Sequence, residues 1–104
     1  KYILFDLDDK LPPSMAGIIA SMLARNKHYP QGTIIGVLTT FAKDQEKLSL
    51  RVSRDVQGVA LQKMLADTFP DEDISTGGHD NAAGAVFPAK KHDDVVERLL
   101  RALE

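Results

Sequence analysis

Thr33-Ile34-Ile35-Gly36-Val37-Leu38-Thr39-Thr40, followed after a polar connection by Lys47-Leu48-Ser49-Leu50-Arg51-Val52-Ser53-Arg54, sets how this chain folds. The first run is nearly all β-branched or apolar, the composition of a strand covered on both faces near a sheet centre. The second alternates strictly. Leu48, Leu50 and Val52 fall on one side and Lys47, Ser49, Arg51 and Ser53 on the other, because strand side chains repeat with period two. Joined by the polar stretch Phe41 to Glu46, the two segments predict a hairpin of adjacent strands.

Toward the N-terminus, Lys1 to Asp6 reads as a short buried strand, ended by Leu11-Pro12-Pro13. Ser14 stands where a helix N-cap belongs. Met15, Ile18, Ile19, Met22 and Leu23 then form one helical stripe, expected to be the buried face. Ala16, Gly17, Ala20, Ser21 and Ala24 are small enough to let another element come close. Tyr29-Pro30-Gln31-Gly32 is a turn into the apolar strand. Toward the C-terminus, Val56 to Thr68 reads as a second helix stopped by Pro70, and Asp71-Glu72-Asp73 as an acidic loop. Ile74 to Asn81 reads as a loop, Ala82 to Phe87 as a short strand, and Lys91 to Leu103 as a helix with Val95, Val96, Leu99, Leu100 and Leu103 inward. The order β-α-β-β-α-β-α predicts an α/β fold over residues 1–104: one domain, a mixed sheet of four to five strands, and three flanking helices.

The chain's 104 residues are 43% hydrophobic and 27% charged, enough for one core and too few for two. The absence of cysteine excludes a disulfide framework, thiolate metal sites and a cysteine nucleophile. Thirteen Lys and Arg against fifteen Asp and Glu leave a net charge of −2, so any polyanion site must be local. Apolar runs such as Ile18-Ile19-Ala20 are far too short to cross a bilayer; no membrane partner and a cytoplasmic location are expected. Lys1 opens directly into a strand, with neither Met nor a leader before it, which leads us to expect a piece of a longer protein.

Gly77-Gly78-His79-Asp80-Asn81-Ala82-Ala83-Gly84 is the stretch richest in chemistry. Paired glycines open backbone angles closed to other residues and expose amide N–H groups to an anion, while His79 and Asn81 offer donors to phosphate or sugar oxygens. The bland alternative is a tight turn packed against a neighbouring strand. Arg51 between Ser49 and Ser53 is a second candidate phosphate clamp, because a guanidinium binds phosphate through two parallel hydrogen bonds. Against it stands an ordinary solvated strand face, and Arg54 points to the opposite side if the alternation continues. Asp6, Asp8 and Asp9 resemble the strand-end aspartates of haloacid dehalogenase-type phosphatases, but Lys10 stands where Thr or Val is usual and the later partners of that motif are missing. Mg²⁺ at this triplet is a minor alternative to a solvated loop. His28, His79 and His92 match no local metal-ligand spacing; Asp93 and Asp94 beside His92 complement a helix dipole.

From the Gly77-Gly78-His79 and Asn81-Ala82-Ala83-Gly84 strings, the chain resembles the C-terminal DHH-associated domain of DHH-family phosphoesterases. The likeness extends to the small-residue helix Met15 to Ser21, the strand Leu48 to Arg54, and the helix before the glycines. Several relatives carry three or four glycines before the histidine. Here Ser75-Thr76 precede only two, which leans to the RecJ-like exonuclease branch over the nanoRNase and exopolyphosphatase branches. The resemblance implies substrate binding by Gly77, Gly78, His79, Asn81, Arg51 and Ser53, with Mn²⁺ or Mg²⁺ and the catalytic ligands in a separate N-terminal DHH domain. It implies a single-stranded DNA or RNA partner, or another phosphate ester, and a metal-dependent hydrolase as parent. Two-metal phosphodiester cleavage needs several carboxylates and imidazoles around ions about 3.5–4 Å apart, and no Asp-His-His string is present, so this piece alone is expected to hydrolyse nothing. The alternatives are a catalytically silent scaffold of a replication complex, a nanoRNase or oligonucleotide-phosphatase relative, and, least favoured, the dehalogenase-like phosphatase.

Overall fold

The computed structural model describes residues 1–10, 12–54 and 56–104. Its strands are β1 (Tyr2–Asp8), β2 (Ile34–Ala42), β3 (Gln45–Val52), β4 (Ser75–Gly78) and β5 (Ala82–Pro88); its helices are α1 (Ala16–Ala24), α2 (Leu61–Thr68) and α3 (His92–Leu103). The expected α/β class holds: one mixed five-stranded sheet in the order β1-β2-β3-β5-β4, with three helices. β1 and β2 run parallel with α1 as their crossover, and every other pairing is antiparallel.

The strictly alternating run becomes the middle strand, β3, and the apolar run β2 lies between it and the edge. Leu48, Leu50 and Val52 face the main core with Leu61, Leu65, Phe87, Val95 and Leu99, beneath α2 and α3. Each of these large side chains contributes roughly 1.5–3 kcal/mol on leaving water. The other side of β3 is not the solvated face that its polarity implies. α1 lies across β2 and β3 there, and Ser49 and Ser53 are buried.

Several expectations need correction. α1 turns its small stripe inward: Ala16, Ala20 and Ala24 are buried, while Met15, Ile18 and Met22 are 36%, 53% and 59% exposed. Small side chains let the helix sit close to the sheet, and only Ile19 and Leu23 of the large stripe tuck against the Ala16, Ala20 and Val37 cluster. Ser14 is not the cap. It lies inside a 3₁₀ turn over Pro13–Met15, and α1 begins after Met15 with no side-chain cap. α2 begins at Leu61 rather than Val56, because Gly58 adopts φ +86° and breaks the helical path; Val56 and Val59 still pack on the core. Ser75 to Gly78, expected as loop, forms edge strand β4, paired with β5 through backbone groups that need no side chain.

β1 is a half-buried edge strand rather than a buried one. Asp6, toward its far end, faces His92, whose Nε2 lies 3.2 Å from Asp6 Oδ2 and whose Nδ1 lies 2.6 Å from Glu46 Oε1. From α3, Arg98 grips Asp71 through both terminal guanidinium nitrogens at 2.9 and 3.0 Å, and holds that carboxyl well below the usual carboxylate range. No helix among the described residues is long and apolar enough to cross a membrane.

Candidate functional site

Two helices cover one face of the sheet, and a single helix covers part of the other. The uncovered part lies over β3, β5 and β4, where register puts Lys47 beside Val86, Ser49 beside Gly84 and Arg51 beside Ala82, with Gly77 next to Gly84. Glycine, alanine and serine cannot fill the space left by a missing helix. A hollow of about 470 Å³ results, floored by Ser49, Ala82 and Gly84 and rimmed by Gly77, His79 and Arg51.

The β4–β5 turn is shaped by its backbone. Gly78 has φ +122°, and a Cβ there would lie 2.4 Å from the Ala82 carbonyl oxygen and 2.5 Å from Ala83 Cα, so only glycine fits. His79 donates its amide to Ala82 O at 2.8 Å and leaves its ring exposed at the hollow. Neighbouring bonds fix the turn to β3, to Val56 and to the start of α2: Asn81 O accepts from Val52 N at 3.2 Å, Asn81 Oδ1 from Val56 N at 3.3 Å, and Asp80 O from Leu61 N at 2.9 Å.

Arg51 is held from the other side. Its Nε donates to Ser21 Oγ at 3.2 Å and its Nη1 to Leu50 O at 2.8 Å. Among the described residues no carboxylate pairs with it. Burial lowers its pKa from the ordinary value, as expected for a desolvated cation, yet a guanidinium stays charged. Gly17 on α1 leaves room for this group, since a Cβ there would stand 3.3 Å from Arg51 Nη2.

A second hollow of about 480 Å³ adjoins the first and shares Arg51, His79 and Ala82 with it. Arg25, Arg54 and Asn81 also line it. Among the described residues neither lining contains Asp or Glu, so a chain of net charge −2 gathers cations here without acidic neighbours.

Of the residues singled out from sequence, Gly77, Gly78, His79 and Arg51 meet at one hollow, and Asn81 lines its neighbour while bracing the turn. Ser53 does not join them. Its fully buried hydroxyl donates to Ala24 O at 3.1 Å, fastening the end of α1 to the turn that follows β3, which makes it a structural contact. Sequence reasoning misses Arg25 and sends Arg54 to the wrong side. Arg54 escapes the alternation because β3 ends at Val52 and Arg54 sits at φ +51°, beyond the strand, with its Nη2 on Tyr29 O at 3.0 Å. Arg25 follows the last residue of α1, and no pattern in the sequence brings it to β3.

Asp6, exposed and engaged by His92, lies away from both hollows. Among the described residues no three His, Asp, Glu or Cys side chains group so as to hold a metal ion.

A family model described as the DHHA1 domain matches residues 1–104. Among solved structures, the C-Ala domain of Aquifex aeolicus alanyl-tRNA synthetase is similar at 17% identity and a TM-score of 0.71, covering 98% of this chain and 87% of that one. A DHH-domain protein described as belonging to a family of ribosomal proteins is similar at 21% identity and a TM-score of 0.58. That match covers 98% of this chain and 25% of the other, so this chain spans a quarter of its length. At these identities the two likenesses show the fold alone. No curated protein matches.

Proposed function

The chain belongs to the DHHA1 domain family, and we propose that its open half-face binds substrate for a DHH-type phosphoesterase of the RecJ-like branch, gripping the phosphate backbone of single-stranded DNA or RNA. The observation that carries this reading is the convergence of His79 and Arg51 on one hollow free of carboxylates. One comes from the β4–β5 turn and the other from the middle strand, and neither has a counter-ion among the described residues.

Arg51 supplies a fixed positive charge, oriented by Ser21 and Leu50 before any ligand arrives, so little side-chain freedom remains to be lost on binding. His79 supplies a ring donor to a phosphate oxygen, and edge strand β4 keeps backbone groups that pair with no further strand. Gly84 and Ala82 keep the floor, and Gly77 the rim, low enough for a sugar-phosphate to lie in the hollow. In this reading Mn²⁺ or Mg²⁺ sits in a DHH domain elsewhere in the parent chain, where it would activate water. The residues of this domain bind and orient the ester and hydrolyse nothing alone. A cytoplasmic location accords with such a role.

Titrating the domain with a 5′-phosphorylated oligothymidylate and following amide and Arg side-chain NMR signals tests the proposal. Gly77 to Asn81 and Arg51 should move together and saturate. Unmoved signals at those residues would remove the reading. A second reading, an assembly surface of a complex that has lost catalysis, draws on the exposed Met15, Ile18 and Met22; it requires a parent chain without the Asp-His-His motif.

A further inference from the structure

The two hollows are neighbours with different chemistry. The first is floored by small residues, with Arg51 and His79 at one end. The second lies beyond those two side chains and adds Arg25 and Arg54. Three arginines thus reach it from three places: the end of α1, the middle of the sheet and the turn after β3. Arg54 is fixed in place, with its amide on Ala24 O at 3.2 Å, its carbonyl accepting from Gln31 Nε2 at 3.1 Å, and its Nη2 on Tyr29 O. Arg25 has no ion-pair partner among the described residues. Three cations with no acidic neighbour in the lining exceed what one phosphate at His79 requires, and like charges crowded together cost free energy until an anion arrives.

We propose that the second hollow is a separate phosphate subsite, in which Arg25 and Arg54 hold the phosphate adjacent to the one bound by His79, with Arg51 between the two. The domain therefore selects ligands carrying at least two successive phosphates joined through a sugar. Each hollow is far larger than a phosphate group, leaving room for the nucleoside bodies that separate phosphates along a strand; a diphosphate lacks that spacing. This inference rests on the binding reading above and adds to it the residues that count phosphates.

The test compares dTMP, the 5′-phosphorylated dinucleotide pdTpdT and inorganic pyrophosphate by calorimetry on the domain. The dinucleotide should bind about tenfold more tightly than dTMP, the worth of one further charge-assisted contact. Its affinity should also fall more steeply with salt, by about 0.7 in the log–log slope for each added phosphate neutralised. Arg25→Gln, at an exposed position whose side chain makes no hydrogen bond or ion pair among the described residues, should bring the dinucleotide down to the dTMP affinity and leave dTMP unchanged. Arg54→Gln should do the same. Equal affinities for dTMP and pdTpdT in the unaltered domain, or a dinucleotide preference that survives both substitutions, would overturn the second subsite. Pyrophosphate should be indifferent to Arg25→Gln; a loss matching that of the dinucleotide would overturn the sugar-spaced assignment. Arg51→Gln separates the two levels. If it leaves dTMP binding intact, the binding reading itself falls, whereas if it abolishes dTMP binding while Arg25→Gln changes nothing, only the second subsite falls.

Discussion

Gly77 and Gly78 stand side by side in β4 and should respond unequally to one added methyl group. At Gly78 the φ of +122° and the Ala82 carbonyl 2.4 Å from an added Cβ make alanine both strained and crowded. Gly78→Ala should cost about 2 kcal/mol or more in a urea unfolding series. Nothing lies within 4 Å of a Cβ on Gly77, so Gly77→Ala should leave stability within about 0.5 kcal/mol while its methyl intrudes on the hollow and weakens phosphate binding. A destabilised Gly77→Ala or an unperturbed Gly78→Ala would contradict this geometry. The Gly-Gly-His string is legible in sequence because glycine pairs next to a donor have few uses. Ser53 misleads for a physical reason: a hydroxyl in a strand reads as solvated until a helix end is found against it.

At the scale of elements, α1 shows how much a periodic pattern leaves open. It carries two stripes, one of large apolar residues and one of small residues, and either could face a sheet. The small one does, because the buried alanines let α1 lie against β2 and β3 and bring Ser21 within reach of Arg51. Ala20→Leu should therefore destabilise the domain by about 1–3 kcal/mol through overpacking, whereas Met22→Gln on the exposed ridge should change stability by less than about 0.5 kcal/mol. Thermal unfolding of the two variants side by side checks this, and the reverse ranking would mean that the large stripe is the inner one. β4 gives the complementary lesson. Four residues rich in glycine carry no strand signal of their own and become a strand only because β5 offers an edge.

Across the whole molecule, His92 ties the parallel edge, the middle strand and the last helix together. Its ring bridges Asp6 on β1 and Glu46 on β3, and the hydrogen bond to Glu46, followed by the charges of Glu46, Asp6 and Asp93, raises its pKa against the opposing effect of burial. A histidine whose folded pKa exceeds its unfolded value of about 6.5 contributes stability in full below that pH and loses it as pH rises through the folded pKa. The gap in unfolding free energy between the unaltered domain and His92→Gln should accordingly be widest near pH 6 and close toward pH 8.5. A gap constant across that range would show that the charged bridge contributes nothing.

The class of fold, the number of helices, the central hairpin, and the donor chemistry carried by Arg51 and the Gly77-Gly78-His79 turn can all be read from the order of residues. These are local facts: side-chain period, turn chemistry and donor type are properties of neighbours along the chain. Which stripe of α1 faces inward, that half of one sheet face stays uncovered, and that Arg25 and Arg54 join Arg51 beside His79 emerge from packing in three dimensions. Those outcomes depend on how closely a helix can approach a sheet and where a strand stops, and such distances exist only once distant segments are brought together.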